Sequence, residues 1–128
     1  MTQEEKQILL VDLCARLPYG VILGVTLKDK YDEIVTRDIQ LSASNLTYIT
    51  SPSNWIEYKP YLRSMSSMTK EEREEILSID YVQRYTGNCW SWMFASYKQI
   101  DWLNAHHFDY RGLIEKGLAL EAPADMYK

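Results

Sequence analysis

At 128 residues, 46% of them apolar and 25% charged, the chain has the size and composition of one globular domain, which excludes disorder for most of its length. Its net charge is −4 and its Lys and Arg are scattered, so no basic stripe faces a phosphate backbone and nucleic-acid binding is not expected. Its apolar runs, Ile8 to Val11 and Cys89 to Ala95, are far shorter than a membrane span.

The polar, acidic start, Met1-Thr2-Gln3-Glu4-Glu5-Lys6, is unlike a secretory signal. Thr2-x-x-Glu5 forms a capping box, and Leu10, Leu13, Cys14 and Leu17 recur at helical spacing before Pro18 and Gly20. A first helix over roughly residues 3–17 follows. After Gly20 the period changes to two: Val21, Leu23, Val25 and Leu27 alternate with Ile22, Gly24, Thr26 and Lys28. Lys28 to Asp32 is polar enough to turn, and Val35, Ile39 and Leu41 mark a second strand on which Arg37 is the exception.

Leu46 to Ile49 and Trp55 to Tyr58 read as shorter strands separated by Ser51-Pro52-Ser53-Asn54, and Pro60 should close this region because it lacks an N–H. A second capping box, Thr69-x-x-Glu72, opens the acidic run 71–75, whose helix packs only by its last turn, Ile76 to Ile79. Residues 81–95 show no clear period. Ser96-x-x-Gln99 then caps a helix to about Ala105, with Ile100, Leu103 and His107 along one stripe. Leu118 to Glu121 forms a short closing strand before Pro123. The expected fold is α+β in one domain over 1–128. It has an N-terminal helix, an antiparallel sheet or small, partly open β-barrel from about residue 21 to 58, and C-terminal helices packed on it.

Polar chemistry is densest from Asp101 to Arg111, which holds both histidines. Adjacent His106 and His107 diverge on either a helix or a strand, and no third ligand lies at a defensible spacing, so no metal is expected. An acid–base pairing of a histidine with Asp101 or Asp109 is sterically open. Yet no nucleophile elbow, Cys–His signature or phosphate-cradling loop accompanies it, so no catalytic residue and no cofactor is assigned. His106, Asp109, Tyr110 and Arg111 are the candidate ligand-binding groups. Against this stands a structural corner, in which Arg111 pairs with Asp109 or with helix-end carbonyls and Tyr110 buries its ring. Trp90 and Trp92 at i, i+2 share one side of a strand; they read first as core and second as a protein interface. Met65 and Met68 read as core filler.

Three blocks stand out together: Asp12 to Val21, Lys59 to Arg63 running on to Ser66-Ser67-Met68-Thr69, and Asp101 through Pro123. They resemble a group of short uncharacterised proteins of gut Bacteroidales genomes, many in or near prophage regions. Ser64 departs from that pattern, which usually has proline there. The group brings no assigned activity or ligand, so the resemblance implies context alone: a bacterial or phage-derived intracellular accessory protein.

Cys14 and Cys89 are a distant pair with no export signal, so reduced thiols and a cytoplasmic location are expected. The leading expectation is a non-enzymatic protein acting on a protein partner or by self-association, without membrane contact. The alternative is a small enzyme or ligand-binding domain that uses the His106–Arg111 segment.

Overall fold

A computed structural model describes residues 2–50, 55–79 and 96–127. The fold is α+β, as the sequence implies. Helix α1 (Gln3–Arg16) is followed by a 3-10 turn (Leu17–Tyr19), and a hairpin of β1 (Ile22–Lys28) and β2 (Ile34–Gln40) comes next. Helix α2 (Leu46–Thr50), strand β3 (Trp55–Leu62), a second 3-10 turn (Met65–Ser67), α3 (Lys70–Ile79), α4 (Tyr97–Ala105) and the two-residue β4 (Leu120–Glu121) complete the described elements. The sheet is open, in the order β2-β1-β3-β4, with β1 antiparallel to both neighbours and β4 parallel to β3.

Thr2 caps α1 reciprocally with Glu5, and Ser96 caps α4 with Gln99, so both capping boxes are formed. The third, Thr69 with Glu72, closes through bonds of 3.0 and 3.1 Å. The buried face of α1 differs from the expected stripe. It comprises Leu9, Asp12, Leu13 and Arg16, whereas Cys14 is exposed and Leu10 only half-buried. A charged pair has displaced the outer leucine because Asp12 and Arg16, four residues apart, neutralise each other inside the protein.

The alternation of β1 holds: Val21, Leu23 and Val25 are fully buried in the core with Leu9, Leu13, Leu62 and Leu113. On the opposite face Gly24 lies beneath Leu120 and Tyr61; a Cβ there would stand 3.1 Å from the leucine. Two expectations fail. Leu46 to Ile49 is helical, because Ser42 and Asn45 wind the chain into turns: the Asn45 side chain accepts from the Ser42 amide and hydroxyl. Strand β3 also runs through Pro60, which pairs with Leu23, on to Leu62. Since β4 reaches only Tyr61 and Leu62, β3 keeps an open edge beside Pro60 among the described residues, where a missing N–H is tolerated.

A second cluster, Ile76, Trp102, Leu103 and Phe108, joins α3 to α4 and takes in Met65 and Met68, in agreement with their reading as core filler. Buried Gln99 ties the two helices by donating to the Ile76 carbonyl at 3.2 Å. The α3 glutamates are exposed apart from half-buried Glu72, and only the last turn packs.

Candidate functional site

Helix α4 ends in a Schellman arrangement. The His107 amide donates to the Asn104 carbonyl at 3.1 Å and the Phe108 amide to Leu103 at 2.9 Å. His107 thus occupies the left-handed position usually given to glycine, at φ +64°, a conformation that costs a non-glycine residue roughly 1–2 kcal/mol. It therefore lies beyond the helix rather than on the Ile100–Leu103 stripe.

From there the chain enters a short parallel bridge. The Arg63 amide donates to the His107 carbonyl at 2.7 Å, and the Asp109 amide to the Arg63 carbonyl at 2.8 Å. Asp109 is buried, and its two oxygens accept from the Leu113 amide at 2.8 Å and the Ile114 amide at 2.9 Å. It serves as the cap of the following turn. Arg111 does not pair with Asp109; its Nη1 instead reaches Asp12 Oδ1 of α1 at 3.0 Å. The same carboxylate holds Arg16 Nε at 2.8 Å through its other oxygen, and Arg16 Nη2 donates to the Phe108 carbonyl at 2.7 Å. Asp12 and Arg16 are both completely buried. Both guanidiniums lie over the Tyr110 ring, at 5.3 and 5.0 Å, while the Tyr110 hydroxyl donates to Asn104 at 3.0 Å. Asp12, Arg16, Tyr110 and Arg111 thus form one polar knot binding the start of the chain to its last third.

The histidines have separate surroundings. His106 stacks on Trp102 at 3.9 Å, and its Nδ1 lies 2.9 Å from the Trp102 carbonyl. His107 stacks on Tyr127 at 3.7 Å and its Nδ1 has no partner among the described residues. Burial, with the Arg16 charge next, pushes His107 down to about 4, so its ring is neutral at pH 7. No contact among the described residues pairs either histidine with Asp101 or Asp109, and no group of three potential metal ligands gathers there.

A cleft of about 710 Å³ is lined by segments 63–72 and 121–127, with none of His106, Asp109, Tyr110 or Arg111 in its wall. At its side Arg63 clasps Glu72 through two bonds of 2.7 Å, which hold the carboxylate down at about 2. Trp90 and Trp92 lie outside the described residues. The sequence reading missed Asp12 and Arg16. Their signal was an acid and a base at i, i+4 on the same side of α1 as Leu9 and Leu13.

The fold is α+β, and Asp109, Tyr110 and Arg111 of its densest polar segment all bond to groups within the chain. No family model, curated protein or solved structure matches the chain. No described helix is long and apolar enough to cross a membrane.

Proposed function

We propose that the chain is a non-enzymatic protein that acts by binding another protein at one end of its sheet. The observation that carries this reading is the grouping of exposed apolar side chains there. Tyr31 in the hairpin turn, Ile34 at the start of β2 and Ile56 near the start of β3 are 72%, 66% and 54% exposed. The register supports their common location: Ile34 faces Lys28 at the end of β1, and the bulge that includes Ile56 lies opposite Thr26 and Leu27. Large apolar groups left in water at one place are a mark of an interaction surface. The internal engagement of Asp109, Tyr110 and Arg111 argues against the ligand-site alternative. A bacterial, prophage-related and cytoplasmic setting is part of the proposal; the first two rest on the resemblance, the last on the reading of the two distant cysteines as reduced thiols.

Affinity capture from the source organism tests the proposal, comparing the wild type with the variant Ile34→Lys/Ile56→Lys. A stoichiometric protein partner retained by the wild type and lost by the folded variant is expected. A homodimer broken by the same substitutions would make the partner a second copy. Equal retention by both proteins, or no partner and a monomer throughout, would overturn the proposal.

A further inference from the structure

The C-terminal segment from Leu120 to Tyr127 is a strap with few buried anchors. Core burial ends with Leu118 and Ala119, and from Glu121 to Tyr127 every residue is exposed or half-buried. Its near end is held by β4 pairing and by the Ala122 amide, which donates to the Leu62 carbonyl at 2.8 Å. Among the described residues, its far end is anchored by Tyr127. That hydroxyl donates to the Tyr61 carbonyl at 2.7 Å and accepts from the Ile22 amide at 2.9 Å, while the ring lies flat on His107, 18° from parallel. Segments with so few buried contacts open independently of the core.

His107 has three properties that its position does not require. It occupies a left-handed backbone site suited to glycine, it buries a polar ring, and its Nδ1 lacks a partner among the described residues. An imidazole here costs more than glycine would, and among the described residues its ring makes one stacking contact. That contact is Tyr127.

We propose that His107 is a proton-operated latch for the C-terminal strap: neutral, it stacks on Tyr127 and holds the strap across β3; protonated, it repels its surroundings and lets the strap go. The charged and titratable groups around it are Arg16 from α1, Arg63 beyond β3, neighbouring His106 at the end of α4 and the Tyr127 hydroxyl from the strap. Arg16 is already paired with Asp12, and Arg63 with Glu72, so neither carboxylate is free to offset a new charge on the ring. A proton on His107 thus adds a third cation to two buried or half-buried ones. Releasing the strap relieves this, uncovers the edge of β3 at Tyr61 and Leu62, and removes one wall of the cleft. It leaves the core of α1 and β1 in place.

Hydrogen exchange read by mass spectrometry between pH 7 and pH 3.5, corrected for the intrinsic rate, tests the latch. Protection of the 120–127 segment should fall by up to about tenfold per pH unit below pH 6.5, levelling near 4, while α1, which opens only with the whole core, stays far more protected at every pH. In His107→Phe, which keeps a flat ring without a titratable proton, this pH dependence should vanish. The carboxylates titrate in both proteins, so the difference reports the imidazole. Constant strap protection in the wild type, the same loss in His107→Phe, or strap protection no lower than that of α1 would each overturn the latch. Should His107→Phe fail to fold, NMR titration of the wild type decides: the His107 ring and the Ala122 amide must share one midpoint, and separate midpoints refute the coupling.

Discussion

Arg111 Nη1 meets Asp12 Oδ1 at 3.0 Å, joining residues 99 positions apart in the sequence. Asp12 is wholly buried and its second oxygen is taken by Arg16, so two guanidiniums share a single carboxylate. Asp12→Asn would leave both cations around Tyr110 without a counter-charge, one of them fully buried. A loss of about 3–5 kcal/mol is expected, the range for breaking a buried ion pair. Urea denaturation measures it, and a loss below about 1 kcal/mol would show that the knot is peripheral.

Leu13 is completely buried in the centre of α1, against the β1 core. Leu13→Ala should lower stability by about 2–5 kcal/mol. Cys14→Ala, one residue on and exposed, should change it by less than about 0.5 kcal/mol. Parallel denaturation of the two variants checks which side of the helix faces inward.

Ser64 has φ −63° and ψ 146°, backbone angles a proline ring already imposes, and its amide makes no described hydrogen bond. The preceding Arg63 is extended through its bridge to Phe108, as a residue before proline must be. Ser64→Pro should therefore stabilise the protein by roughly 0.4–1 kcal/mol by restricting the unfolded chain. A fall in the thermal midpoint would contradict this reading of the turn.

Acid should act in two windows. The His107 value is lowered from 6.5 to about 4, so the unfolded chain binds its proton first. The stability this group contributes is complete above pH 6.5 and is lost as pH falls towards 4, by up to about 1.4 kcal/mol per pH unit. Glu72, lowered from 4.5 to about 2 by Arg63, contributes stability that is present above pH 4.5 and lost as pH falls towards 2. Urea midpoints between pH 7 and pH 3 should slope downward in the wild type, and His107→Phe should flatten the upper window alone.

Local signals carried much of this fold. The three capping boxes and the change of period at Gly20 involve residues that meet their partners within a few positions, so sequence spacing suffices. The failures arose where distant chain segments decide. Leu46 to Ile49 has strand-like residues, but the turns preceding it set a helical path. Pro60 reads as a terminator in the sequence because the open edge of β3 cannot be seen in one dimension. In the candidate segment, Tyr110 as a half-buried corner residue with a satisfied hydroxyl was legible. The true partner of Arg111 was not, because Asp12 lies on another element and a charged residue on a helix is ordinarily assigned to solvent.

The direct test of whether His106 to Arg111 holds the fold or serves a ligand is chemical denaturation of Arg111→Ala. Its loss strands a buried oxygen of Asp12 and strips one cation from the Tyr110 ring. The denaturation midpoint should fall with the slope unchanged, corresponding to about 1–3 kcal/mol. An unchanged midpoint and slope would contradict the structural account and return the segment to candidacy as a binding site.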